Sequence, residues 1–245
     1  METLEQLYNG FFLDTESSNS QISNWTTPLW IAPLKKVDNY EKLEIDQEHF
    51  AFAEKNVNWE MEYFHGLKKF LWIEKSDSSP IFIFDNHNHS IVFRYNITCG
   101  KNISNVELIH IDQHSDCWEN KNHLELNRKE NELEKVFHFW NQKCNVWNFI
   151  PPALESWIIT KQTQIRSITA LENLEINKNQ NFILDIDLDF CLSGIDRDRL
   201  DNQTIKELKN KFDELSKQTL CTTIATSPYF LSQESAINIV DILLS

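Results

Sequence analysis

The sequence predicts an α/β fold, a mainly parallel sheet with helices on both faces. Short, mostly apolar runs recur at Ile81–Phe84, Leu108–Ile111, Phe182–Leu184 and Thr222–Ala225, each reading as a strand buried on both sides. Between them lie segments whose apolar residues follow helical spacing. The first three runs each lead straight into a cluster of titratable residues, at the carboxyl ends of strands where such sheets bind ligands.

At 245 residues and 41% hydrophobic, with no Gly/Ser/Pro-rich linker, the chain is expected to build one domain over residues 1–245. Its motif-bearing core would be residues 79–245. Residues 1–78 read as an N-terminal extension packed on that core, with Trp25, Trp30, Trp59 and Trp72 punctuating polar stretches and Pro28 and Pro33 breaking any long helix. A net charge of −14 argues against a nucleic-acid partner and tolerates a cationic substrate. Five cysteines, widely spaced and without CxxC, indicate reduced thiols. With four glycines there is neither GxGxxG nor a P-loop, which removes dinucleotide and nucleotide folds from consideration. Met1 to Gln6 holds two Glu and no basic residue, and no apolar run nears the ~20 residues that span a bilayer, so the expectation is a soluble, cytoplasmic protein with no membrane partner.

Taken in order, Ile81–Phe84 is followed by Asp85, Asn86, His87, Asn88 and His89, and then by the apolar stretch IVFRYN, which suits helix or strand. Leu124 to Gln142 carries Leu126, Leu133, Val136, Phe137 and Trp140 near helical spacing and reads as a surface helix. Pro151 and Pro152 mark the start of another. Thr204 to Lys217 stripes Ile205, Leu208, Phe212 and Leu215 along one face, and Ser232 can cap a last helix carrying Ile237, Val240, Ile242 and Leu243.

The chemistry lies in two spacings. Asp112, His114 and Asp116 are two apart, as are Asp185, Asp187 and Asp189, and in extended backbone each trio shares one side of the chain. With one of His87 or His89, and with Asp185 as a spare, Asp112, His114, Asp116, Asp187 and Asp189 offer six ligands, four of them carboxylates, too many for one structural zinc. Such a set suits hard divalent ions, manganese foremost, and two ions about 3.5–4 Å apart can share carboxylates. A water between two cations loses its proton near neutral pH and becomes a nucleophile for hydrolysis.

These residues resemble a known family. DQHSD at Asp112–Asp116 is similar to the DxHxD signature of the ureohydrolases, the superfamily of arginase and agmatinase, and DLD at Asp187–Asp189 to its second metal motif. More closely, DNHNHS, LIHIDQHSD, NFIPPA, ILDIDLDF and TIATSP, in this order, resemble the peptide arginases of ribosomal-peptide (RiPP) biosynthesis; the resemblance covers about residues 80–245. It implies a three-layer α/β/α, arginase- or deacetylase-like fold and two Mn2+ ions. The implied reaction is hydrolysis of arginine side chains in a precursor peptide to ornithine and urea, by a metal-bridging hydroxide attacking the guanidinium carbon. Carried over by residue, Asp112 and one Asp of the DxD bridge the ions, His114 completes one shell, and Asp116 with the upstream histidine completes the other. Asp187 and Asp189 are preferred to Asp185 and Asp187, and His87 to His89.

The sequence departs from the family in two places. Where free-arginine ureohydrolases follow the last strand with an acid that grips the guanidinium, this chain has Ala225-Thr226-Ser227-Pro228; Glu234, in the first turn of the last helix, is the acid left to reach back. The loop after DxHxD offers Cys117, Trp118 and Glu119 in place of head-group ligands, an aromatic mouth suited to a peptide. Asp116, His123 as a proton shuttle, and Glu234 are the candidates for the reaction itself, while His110 reads as a core histidine. Two rival readings are a zinc amide hydrolase of deacetylase type, which uses one ion, and a module that binds a precursor peptide without turning it over.

Overall fold

Residues ahead of Ile81 form more regular structure than their polar pattern suggests. The computed structural model describes residues 3–13, 27–76, 78–100, 103–127, 130–177, 180–194 and 196–245; Trp25 lies outside the described residues. Helix α1 (Leu4–Leu7) is closed by a capping box between Thr3 and Gln6. Strands β1 (Phe11–Leu13), β2 (Leu29–Ile31), β3 (Leu34–Val37), β4 (Ile45–Lys55), β5 (Met61–Leu67) and β6 (Phe70–Ile73) follow. β1, β2, β4 and β5 make a four-stranded sheet. β3 and β6 instead pair with each other, and β6 runs antiparallel to β7 (Ile81–Phe84), so both are hydrogen-bonded into the main sheet. The expected extension therefore does more than pack on the core: part of it is one edge of the core's sheet.

From β7 onward strands and helices alternate: α2 (Ser90–Gly100), β8 (Val106–Ile111), α3 (Leu133–Lys143), α4 (Ile150–Glu155), β9 (Lys161–Ile165), α5 (Ile168–Glu172), β10 (Asn181–Asp187), α6 (Asn202–Leu215), β11 (Thr222–Ala225) and α7 (Gln233–Leu244). The seven-stranded sheet has the order β3-β6-β7-β11-β10-β8-β9, parallel from β7 through β9. Every residue of β8 and β11 is buried, and every residue of β10 after Asn181, which requires cover on both faces. That cover comes from helices packed in two groups, α1 with α2 and α3, and α5 with α6 and α7. The fold is the α/β sandwich that the apolar runs predict.

Local chemistry explains where elements start and where they differ from the sequence reading. Pro151 and Pro152 occupy the first turn of α4, where a missing N–H costs nothing. Ser232 caps α7 by accepting the Ser235 N–H, and Asp201 caps α6 by accepting that of Gln203. IVFRYN is helical, within α2. The helix expected from Leu124 begins only at Leu133: no apolar residue lies between Leu126 and Leu133, the Asn131 side chain accepts the Leu133 N–H at 3.0 Å, and the Tyr95 hydroxyl accepts that of Glu132 at 3.0 Å. All five cysteines are free, and no helix among the described residues is long and apolar enough to cross a membrane.

Candidate metal centre

The carboxyl ends of β7, β11, β10 and β8 are adjacent, and each of these strands leads into polar residues. β7 runs into a single 3-10 turn at His87–His89, and β10 into another at Leu188–Cys191. Register pairs Asp185 with His110 on β8 and with Thr223 on β11. Alternation along β8 then sets His110 and Asp112 on one side of the sheet, with Ile109 and Ile111 on the other.

His87 is the hub. Its Nδ1 lies 3.1 Å from Asp112 Oδ2, 3.2 Å from Asp116 Oδ2 and 3.1 Å from Asp187 Oδ2, while its Nε2 lies 2.9 Å from Asp185 Oδ2. Beside this group, His114 Nδ1 is 3.3 Å from Asp112 Oδ1 and 2.9 Å from Asp189 Oδ2. Asp112 thus turns one oxygen to each group.

The alternatives left open by the sequence separate cleanly. His89 points away: its Nδ1 meets the Tyr8 hydroxyl at 3.1 Å, and burial pushes its pKa down to about 3. Asp185 sits behind the cluster, with both oxygens engaged by Arg94, Thr223, His87 and His110. Asp189, by contrast, faces His114 and leaves Oδ1 without a hydrogen bond among the described residues. His123 is exposed and pairs with Glu155 at 2.9 Å, and Glu234 is exposed on α7, so neither of these two candidates is brought to the cluster.

Further residues shape the site. The Ser227 hydroxyl donates to Asp187 Oδ2 at 2.6 Å, and the Gln113 amide holds the carbonyls of Asp189 and Leu192 at 2.9 and 3.0 Å. Asp116 and Ser227 have φ of 50° and 47°, the left-handed region that costs a non-glycine residue on the order of 1 kcal/mol or more. Arg94, fully buried on α2, carries the charge that faces Asp185. Sequence reasoning passed over Arg94 and Ser227; an arginine inside the otherwise apolar run IVFRYN was the one signal available, since such a residue is buried only with a partner.

Five buried carboxylates (Asp112, Asp116, Asp185, Asp187 and Asp189) share this space with one arginine. Burial and the Asp112 charge hold the Asp116 carboxyl well above the usual range; burial with the Asp187 and Asp112 charges does the same to Asp189. Burial also pushes Asp185 upward, but the Arg94 and His87 charges outweigh it and leave Asp185 well below that range. An ionised Asp185 only accepts, so His87 must donate its Nε2–H to it, and Nδ1 is the nitrogen presented to the other carboxylates. Burial would lower the His87 pKa, yet the Asp185 charge and the bonds to Asp112 and Asp116 raise it well above its ordinary value. Excess negative charge of this kind, with an orphaned carboxylate oxygen, fits divalent cations: an ion held at His87 Nδ1 would take the proton's place and would neutralise the carboxylates together.

Aromatic rings surround the way in. Phe52, Trp147, Tyr229 and Phe230 line a narrow crevice that reaches His114, Asp116 and Asp187. Outside it, a cavity of about 630 Å³ touches His114 and Asp189 and is walled by Glu62, Phe64, Arg197 and Tyr229. A second cavity, of about 210 Å³, is lined by Ser104, Asn105 and Trp157, at the opposite end of β8.

No family model matches this chain, and no curated protein does. Among solved structures, the arginase from Bacillus subtilis is 14% identical, with a TM-score of 0.35 over 73% of this chain and 72% of that one. The arginase from Bacillus cereus is 9% identical, with a TM-score of 0.34 over 66% and 68%. Likeness this distant assigns neither family nor activity.

Proposed function

We propose that the chain is a metal-dependent hydrolase of ureohydrolase type, acting on arginine side chains of a ribosomally made precursor peptide and yielding ornithine and urea with two Mn2+ ions. The observation that carries this reading is the position of Asp112, whose Oδ2 faces His87 and whose Oδ1 faces His114. One carboxylate between two ligand groups is what a two-ion centre needs. His87, Asp116 and Asp187 would hold one ion with Asp112, and His114 and Asp189 the other. Bound there, the ions supply Lewis acidity and a water made nucleophilic at neutral pH. A majority of carboxylate ligands favours manganese, and the second ligand group argues against a single-ion zinc amide hydrolase.

The chain's own groups would do the rest. Phe230 lies 4.5 Å from His114 between ring centroids and Trp147 lies 5.5 Å from it, giving flat faces on which a planar guanidinium can stack. The same rings exclude water from the crevice, strengthening every charge interaction inside it. The outer cavity has room for residues flanking an arginine, which supports a peptide rather than a free amino acid.

The test is incubation with Mn2+ and arginine-bearing peptides, read by mass spectrometry for conversion of guanidine to amine and by urea release. Both products are expected. Urea from free arginine alone would remove the peptide half of the proposal, and two bound ions with no urea from any guanidino compound would remove the whole.

A further inference from the structure

We propose that His110 is a direct ligand of the ion held by His87 and Asp116, so that one metal position carries two imidazoles and the other carries one. This deepens the metal reading above and is independent of the substrate.

The argument begins with strand geometry. His110 precedes Asp112 by two residues on β8, which puts the two side chains on one face, and register sets His110 opposite Asp185. The ring is fully buried. A core histidine is ordinarily satisfied at both nitrogens or left in apolar surroundings; His110 is neither. Its Nδ1 lies 2.7 Å from Asp185 Oδ2, the same oxygen that receives His87 Nε2 at 2.9 Å. Asp185, kept ionised by Arg94, accepts from both rings and fixes both, His87 and His110 stacking at 5.0 Å between centroids and 22° between planes. Each ring therefore donates one N–H backward and presents its other nitrogen forward.

Forward of His87 are Asp112, Asp116 and Asp187. Forward of His110 Nε2 are Asp112 Oδ2 at 3.4 Å and Asp116 Oδ2 at 3.8 Å, and this buried nitrogen makes no hydrogen bond among the described residues. With Nδ1–H committed to Asp185, Nε2 offers a lone pair toward two carboxylate oxygens, all acceptors. Single ligand atoms of His87, His110, Asp112 and Asp116 lie within 4.8 Å of one another, and a shared cation is the partner this convergence lacks. Asp185 then acts as the carboxylate that orients two metal-binding imidazoles at once. Two imidazoles make this position the softer of the two, so borderline ions such as Co2+ or Zn2+ are expected to fill it first.

The experiment uses the full chain, stripped of metal and titrated with Co2+ under calorimetry and visible absorption. His110→Phe keeps the ring's bulk and removes the nitrogen. Expected is a loss of more than about 100-fold in affinity at one of two positions, beyond the 10–100-fold that losing an outer-shell partner costs, with a changed cobalt d–d spectrum. An unchanged spectrum overturns the proposal, whatever the affinity. X-ray absorption on the unsubstituted protein loaded with two cobalt ions needs no variant: three imidazoles per pair of ions are expected, and two overturn it. Failure of the unsubstituted chain to bind any divalent ion overturns this proposal and the metal reading together, whereas two ions bound without His110 leave that reading standing.

Discussion

Replacing Arg94 by Met separates the charge of this buried group from its bulk. The guanidinium is wholly buried and its Nη2 pairs with Asp185 Oδ1, with Thr223 Oγ1 at 3.3 Å as a second partner. Removing one member of a buried ion pair costs about 3–5 kcal/mol, because the remaining charge is left uncompensated in a low dielectric. The low end of that range applies, since Arg94 Nε and Nη1 make no hydrogen bond among the described residues and losing them recovers part of the desolvation cost. About 3 kcal/mol is a large share of a typical domain's 5–15 kcal/mol, and at this chain length corresponds to a fall in Tm of roughly 6–12 °C. Thermal melts of the metal-free protein measure it. Asp185→Asn in the same background should give back about half of the loss, because the uncompensated charge is then gone. A single Arg94→Met variant that melts within about 1 kcal/mol of the parent would refute the claim that Asp185 is ionised and held by this arginine.

Other perturbations report on separate parts of the site. Asp112→Asn, which alters the carboxylate common to both groups, is expected to abolish binding of both ions in calorimetry, whereas Asp189→Asn should leave one ion bound; equal losses from the two variants contradict the bridging role. Gly66→Ala would drive a Cβ into the Asp85 carboxylate and Ala51, so it should lower stability by about 1–3 kcal/mol in denaturant melts, and a neutral outcome would show that β5 can move away from Asp85. His123→Ala and Glu234→Ala, both at exposed positions, should leave melting within about 0.5 kcal/mol and ion affinity unchanged; a tenfold loss of affinity in either would restore it to the centre.

The sequence showed most where one physical constraint acts alone. Buried parallel strands read as mostly apolar runs bounded by polar residues, which made Ile81–Phe84 and Thr222–Ala225 legible to the residue. β9, with the sequence KQTQI, was missed because an edge strand meets neighbours on one side and can keep Gln162 and Gln164 half-buried. β3 was missed for a related reason: its parallel partner, β6, lies far along the chain and no local pattern records it, while β6 itself pairs antiparallel with its chain neighbour β7. In the site, spacing by two put Asp112, Asp116, Asp187 and Asp189 on the faces that meet in the cluster. It left Asp185 against Asp189 open because both obey the same alternation; only the neighbouring strands, carrying His110 and Thr223, show that Asp185 faces a base and a hydroxyl behind the cluster.

The same neighbours indicate why the cluster is built with so much unfavourable charge. Asp116 and Ser227 sit in left-handed backbone, and Asp116 and Asp189 are held far from their preferred ionised state. None of these features stabilises the metal-free chain, and bound cations would offset the ionisation cost: ionised Asp116 and Asp189 would become favourable, and Asp187, pinned by Ser227 at 2.6 Å, needs no reorientation to face His87. Part of the free energy of ion binding would therefore be folding free energy, released locally at the carboxyl ends of β8 and β10. Each ion at 100 times its dissociation constant would add about 2.7 kcal/mol to global stability. Protection against hydrogen exchange should accordingly rise most at residues 112–116 and 187–191 when Mn2+ is added, and a uniform rise across the sheet would place the coupling in the whole fold instead of at these two strand ends.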